Sequence, residues 1–343
     1  MKALVLTDLR KFELQQVPRP RCGPHDVLVE VKACGICGSD VHGYDGSSGR
    51  RIPPIVMGHE ASGVVAEVGA EVRQFAVGDR VTFDSMISNP TSWFSRRGQA
   101  NLCDDRRVLG VSCGEYRRDG AFADFVLVPN HIVYRIPDEL SFQQAAMVEP
   151  VSVAVHAVNR SPLRLSDTVV VVGAGMIGQL CVQAARAGGA GRVIAVDLDD
   201  TRLECAAAAG ADVTLNSSRT DVIAAVRDQT DGRGADVAFE AVGATEPVRV
   251  AIESVRKGGA VVLVGNVTPK IEIPLQSVVT RELSLIGTCG CNGEYPECLS
   301  LMARGAVRVD SLISVVAPLE EGPEWFAKLY DRQPGLMKVV LQP

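Results

Sequence analysis

The chain has 343 residues, more than a single hydrophobic core usually organises, so two domains are expected. Apolar residues make up 46% and charged residues 22%, which excludes a disordered protein, and a net charge of −6 with no run of five Lys/Arg excludes the electrostatic footprint of a nucleic-acid or anionic-membrane binder. No stretch reaches the ~18 apolar residues of a membrane span, the apolar run in residues 1–8 is too short for a signal peptide, and ten irregularly spaced cysteines suit reduced thiols, so the expected setting is cytoplasmic and the expected partner a small molecule.

Up to about residue 140, short β-type runs broken by Gly and Pro, at 27–33, 62–68, 80–83, 122–128 and 132–136, predict an antiparallel β domain. Residues 84–120, rich in Ser, Arg and Asn, are irregular. From about 150 to 287 the rhythm becomes strand, helix, strand. Apolar runs at 168–172, 193–196, 213–215, 236–240, 260–264 and 283–286 give six strands, with Ala-rich helices such as 176–187 and 201–209 between them. That pattern predicts an α/β, doubly wound parallel sheet. Beyond about 290 come helices near 296–304 and 321–330 and two short strands. The expected division is 1–152 with 290–343 as one domain and 153–289 as the other.

The run at 168–172 is followed at once by Gly173-Ala174-Gly175-Met176-Ile177-Gly178, which opens a helix, and Asp197 closes the next strand. Strand, glycine triplet, helix and distal acid together meet the conditions of a dinucleotide-binding fingerprint. Gly173 permits a tight turn, Gly175 lets a pyrophosphate approach the backbone, and Gly178 lets helix and sheet pack closely, with the diphosphate at the helix N-terminus. Asp197 would accept from the ribose hydroxyls and repel a 2′-phosphate, favouring NAD over NADP, while Arg202 could partly offset that repulsion. Val242, Val264 and Gly265 are the further candidates for cofactor contact.

Three segments carry metal-type donors: Cys34 to His42, Gly58-His59-Glu60, and Met147-Val148-Glu149-Pro150. Cys34 and Cys37 have no second C-x-x-C to complete a four-cysteine cage. A catalytic zinc needs only three protein ligands, and Cys37, His59 and a carboxylate meet that rule, leaving a position for water or substrate.

At these residues the chain resembles the zinc-containing medium-chain dehydrogenase/reductase superfamily over nearly its whole length. The resemblance is carried by Gly58-His59-Glu60-Ala61-Ser62-Gly63 with Gly69 and Val72, by Cys37, by Gly78-Asp79-Arg80-Val81, and by the dinucleotide segment. Met147 to Ala154 is similar to the sorbitol, threonine and sugar-phosphate dehydrogenase branch. The resemblance implies a GroES-like antiparallel β catalytic domain and a Rossmann domain, with Cys37, His59 and Glu60 near one zinc and Glu149 binding it directly or through a water. It also implies a proton relay from Ser39 through the cofactor ribose to His42. Members with a structural zinc lobe carry four cysteines; here the first three places hold Asn89, Ser92 and Ser95, and only Cys103 remains, so one zinc per chain is expected.

The implied activity is NAD-dependent oxidation of a secondary alcohol (a polyol, sugar alcohol or sugar-alcohol phosphate) to a ketone. An L-threonine-type 3-dehydrogenase is the alternative in chemistry. A zinc-free reductase or crystallin-like NAD(P)-binding protein is the alternative of another class, although such a protein has no reason to keep Cys37, His59, Glu60 and Glu149 together. Gly290 stands near the position where sorbitol enzymes carry an Arg, and the arginines of residues 96–118 could receive a phosphate. By analogy, strand 283–286 pairs across a two-fold axis, giving a homodimer or homotetramer.

Overall fold

Strand Asp26–Gly35 buries most of its residues on both faces, which only a strand in the middle of a sheet can do. The structure, a computed structural model, describes residues 1–343 and places this strand at the centre of a seven-stranded sheet. It pairs antiparallel with Glu60–Val68, Phe125–Pro129 and Lys338–Gln342. Arg80–Phe83 and Val133–Arg135 extend the sheet on one side, and Ile313–Pro318, parallel to Lys338–Gln342, closes the other. Leu4, Leu6, Val29, Phe83, Phe122 and Phe326 are at most 1% exposed and lie in one apolar core.

The chain divides into two compact units. One contains Met1–Glu149, Tyr295–Ala303 and Val309–Pro343, and the other Pro150–Glu294 and Arg304–Arg308. Helix Val148–Arg160 therefore contributes Glu149 to the first unit and Pro150 onward to the second.

The second unit is a six-stranded, all-parallel sheet in the order Val213–Asn216, Arg192–Asp197, Thr168–Val172, Ala235–Glu240, Val255–Leu263, Ser284–Gly287. In sequence order that is 3-2-1-4-5-6, the doubly wound nucleotide-binding arrangement, and the expected fold class is the one observed. Its first strand and the helix Met176–Ala187 coincide with the sequence reading.

Strands also lie where none was expected: the two-residue strands Ile55–Val56, Met86–Ile87, Arg107–Val108, Val111–Ser112 and Arg117–Arg118, and a longer pair at residues 2–16. Lys2–Asp8 and Lys11–Gln16 form an antiparallel hairpin whose turn places Arg10 at φ 59. Gly or Asn usually marks such a left-handed turn, so an arginine there leaves no signal in the sequence.

Candidate metal centre and nucleotide groove

The centre is built from a helix start and a glycine turn. Helix Gly38–Tyr44 is capped by Cys37, whose Sγ accepts from the Ser39 amide at 3.4 Å, while Asp40 reaches back with Oδ2 to the Cys37 amide at 3.4 Å. This reciprocal cap fixes the thiol at the helix N-terminus.

His59 and Glu60 follow Gly58, which adopts φ +94. A Cβ on Gly58 would lie 2.9 Å from both Cys34 Sγ and the Phe122 ring, so no other residue fits this turn. Neighbouring residues of a regular strand face opposite ways, and the turn is what lets His59 and Glu60 serve one site. The ligand atoms of Cys37, His59 and Glu60 lie within 4.8 Å of one another.

Burial and charge at this cluster are unusual. Glu60 is fully buried; its Oε2 accepts from Lys338 Nζ at 2.6 Å, and its Oε1 has no hydrogen-bond partner. Lys338 Nζ also donates to Ile36 O at 2.9 Å. Burial disfavours the Lys338 ammonium, but Glu60 and Cys37 outweigh it and hold the pKa above the ordinary value. His59 Nδ1 lies 3.4 Å from Asp40 Oδ1. Burial opposes protonation of this imidazole, yet Asp40 and Cys37 raise its pKa well above the usual range when no metal is bound. Burial likewise opposes the Asp40 carboxylate, but His59 and Arg51 keep it well below the usual range.

A soft thiolate, an imidazole and a carboxylate are a donor set suited to zinc, and a buried carboxylate oxygen without a partner is an atom a cation would satisfy. The residues therefore fit the metal. Glu149 stands outside the cluster of three; burial lifts its pKa to about 7, and its Oε1 accepts from Ser85 Oγ at 3.4 Å. Ser39 and His42 are exposed at the two ends of helix Gly38–Tyr44, and Ser39 Oγ accepts from Arg51 Nη2 at 3.4 Å. Asp40, Arg51 and Lys338 were not singled out in the sequence. The C-x-x-D capping pattern could have found Asp40, but nothing local marks the other two.

The stretch in which related chains carry a structural zinc is folded without the cysteine set. Cys103 Sγ accepts from the Asn89 amide at 3.4 Å, and Ser92 Oγ donates to Ser95 Oγ at 2.9 Å. Burial pushes the Cys103 thiol up, but the Ser92 hydroxyl and the Asn89 and Asp105 amides bring it below its ordinary value. Of the six loop arginines, Arg97 stacks on Trp93, Arg106 donates to Asn101 O, Arg117 pairs with Asp119, and Arg118 donates to Leu127 O.

In the second unit a groove of about 680 Å³ is lined by Gly173, Asp197, Arg202, Val242, Ser217 and Val250, among others. Asp197 Oδ2 accepts from the Ala174 amide at 2.7 Å, and Oδ1 accepts from the Leu198 amide at 2.8 Å. Arg202 Nη1 lies 3.9 Å from Asp197 Oδ2. Gly175 caps helix Met176–Ala187, so Met176, Ile177 and Gly178 form its first turn, outside the groove lining. Val264 and Gly265 also lie outside it; both amides donate to Glu240 O at 2.9 Å, and a Cβ on Gly265 would meet Gly243 N at 2.2 Å.

The family model for the alcohol dehydrogenase GroES-like domain matches residues 23–138, and that for zinc-binding dehydrogenase matches 177–304. Sorbitol dehydrogenase of Bacillus subtilis (strain 168) is 34% identical over 348 residues, covering 100% of this chain and 97% of that protein. The chain belongs to the zinc-containing medium-chain dehydrogenase/reductase superfamily. L-idonate 5-dehydrogenase of Vitis vinifera is 35% identical over 316 residues, covering 90% of this chain and 85% of that protein. A Sinorhizobium meliloti 1021 protein solved with NADP bound has a TM-score of 0.91 at 34% identity, covering 100% of this chain and 99% of that one. Superfamily membership makes this chain an oxidoreductase.

Proposed function

We propose that this enzyme oxidises a secondary alcohol of the polyol or sugar-alcohol class to a ketone, with NAD as hydride acceptor and a single zinc as cofactor. The observation that carries the reading is the convergence of half-buried Cys37 with buried His59 and Glu60 at one point, with Glu149 held nearby by Ser85. The proposed zinc domain is 1–152 with 290–343, and the proposed nucleotide domain 153–289.

Cys37, His59 and a carboxylate, Glu60 or Glu149, would hold the zinc. Bound there, zinc supplies Lewis-acid polarisation of a substrate hydroxyl. Ser39 Oγ, at the exposed start of the site helix, would take the hydroxyl proton, and His42 at the end of the same helix would release it to solvent. Without a metal, burial lifts the Glu149 carboxyl to about 7; a zinc ion beside it would favour the charged form.

Gly173, Gly175, Met176, Ile177 and Gly178 would cradle the diphosphate of the dinucleotide, Val242, Val264 and Gly265 would meet its nicotinamide half, and Asp197 would face the ribose hydroxyls. Asp197 argues for NAD, since a 2′-phosphate beside this carboxylate would be repelled, and exposed Arg202 at 3.9 Å offsets only part of that. Four of the six loop arginines are engaged within their own surroundings, which favours an unphosphorylated polyol over a sugar phosphate.

The test is NADH formation across polyols, sugar-alcohol phosphates and hydroxy amino acids, repeated with NADP. Polyols turning over fastest with NAD support the proposal; L-threonine as the best substrate would overturn the substrate class, and equal efficiency with NADP the cofactor choice. Replacement of Ser39 by Ala should lower kcat by about 100-fold with zinc retained. Loss of zinc in that variant would mean the residue has another role.

A further inference from the structure

Arg51 is 4% exposed, yet it belongs to none of the segments that carry the metal ligands or the proton relay. Its guanidinium makes contacts in three directions. Nε and Nη2 donate to Asp40 Oδ1 at 3.2 and 2.9 Å, Nη1 donates to Arg50 O at 3.1 Å, and Nη2 also reaches Ser39 Oγ at 3.4 Å. The Asp40 oxygen that receives Arg51 is the one that stands 3.4 Å from His59 Nδ1. One planar fork therefore touches both the carboxylate beside a metal ligand and the hydroxyl assigned to take the substrate proton.

The site helix is shaped to receive this side chain. A Cβ on Gly43 would fall 2.1 Å from Arg51 Cγ and 2.9 Å from its Cβ, so the aliphatic stem lies across the helix where there is no side chain. Gly43 and Ser39 are four residues apart, one turn of the same helix. The stem is thus seated on one turn while the head reaches the next.

We infer that Arg51 is a positioning residue that locks the Ser39 hydroxyl to the Asp40–His59 pair, an inference that rests on the function proposed above. A guanidinium N–H directed at Ser39 Oγ occupies one lone pair of that oxygen. The other lone pair is left to receive the substrate proton, and the hydroxyl hydrogen to be passed on. The same fork neutralises Asp40, so that this buried carboxylate can face the imidazole edge without stranding an unpaired charge. A lysine ammonium keeps the charge but not the planar fork, and it cannot serve both oxygens with the same geometry.

The test is a double-mutant cycle between Arg51→Lys and Ser39→Ala on the zinc-loaded enzyme, following kcat, the KM for NAD and zinc equivalents per chain. Arg51→Lys is expected to lower kcat about tenfold with KM and zinc content unchanged, and to have less than about a twofold effect when Ser39 is already Ala. Gly43→Ala displaces the Arg51 stem without removing its charge and should give the same pattern, so it carries the test if Arg51→Lys does not fold. Losses that multiply with that of Ser39→Ala, an unchanged kcat, or a loss confined to KM or zinc content would overturn the Arg51 link while leaving the dehydrogenase reading standing. A wild-type kcat in Ser39→Ala would overturn the relay beneath it, and the link with it.

Discussion

Two buried cations balance two buried carboxylates at the metal centre: Lys338 faces Glu60 at 2.6 Å, and Arg51 faces Asp40 at 2.9 Å. Removing one partner of such a pair strands the other, which costs about 3–5 kcal/mol, whereas removing both costs far less. Lys338→Met should therefore lower the urea-unfolding stability of the zinc-free protein by several kcal/mol, and adding Glu60→Gln should recover most of it. Additive losses would show that the two do not act as a pair. Glu149 gives a pH dependence of the opposite sign to an ordinary paired carboxylate. Its pKa rises on folding from 4.5 to about 7, so the folded protein holds a proton that the unfolded chain has released. For the zinc-free protein, this contribution is fully present below about pH 4.5 and is lost as pH rises through about 7, a change on the order of 3 kcal/mol. Unfolding curves between pH 5 and 8 should show the decline in the wild type and a flatter profile in Glu149→Gln. Cys37, His59 and Glu60 were legible because short local patterns carry them. Lys338 was not, because it lies 278 residues from Glu60 and meets it only through the pairing of the C-terminal strand with Asp26–Gly35.

At the level of elements, the strand–turn–helix at Gly173 was the most readable part of the chain, since propensity, glycine spacing and apolar period agree there. The structure assigns its glycines different work. A Cβ on Gly178 would lie 1.7 Å from Gly173 O, while one on Gly175 meets nothing within 4 Å. Gly178→Ala must push the helix off the strand and should cost about 2 kcal/mol or more in thermal or urea unfolding. Gly175→Ala should leave stability within about 1 kcal/mol, because the residue sits at a helix cap in an extended conformation open to any side chain. It should instead weaken NADH binding by about tenfold or more, read by cofactor fluorescence, since the added methyl occupies the space a diphosphate would approach. A Gly175→Ala protein that binds NADH normally would remove the diphosphate from this turn. Elements whose signal is diffuse were read less well. Strand Val255–Leu263 begins five residues before its apolar run: Val255 pairs with Ala235 and Ala260 with Val237, and Arg256-Lys257-Gly258-Gly259, residues with little strand preference, bulge between these two pairs.

For the molecule as a whole, the parallel sheet ends at Ser284–Gly287, which pairs only with Val255–Leu263 and leaves its outer edge open. Close by in sequence, Val267, Leu275 and Val279 are each more than 60% exposed. An open strand edge flanked by exposed apolar residues is a liability in a lone chain and a ready two-fold interface in a pair. Sedimentation should therefore find a dimer or a larger even assembly at micromolar concentration, and Leu275→Glu with Val279→Glu should shift it to monomer without loss of fold. A wild-type monomer would exclude this edge as an interface. Metal analysis of the same sample separates a second question. In the lobe where related chains hold structural zinc, Cys103 is the single thiol, and the Asn89 amide and the Ser92 and Ser95 hydroxyls surround it. Hydrogen bonds from neutral donors stabilise the lobe without a metal, and one thiolate cannot supply the four ligands of a closed site. The assembly should contain one zinc for each chain, all of it lost on replacing Cys37 by Ser. Zinc that survives that replacement at half the wild-type content would place a second metal in the lobe and reverse the reading of its missing cysteines.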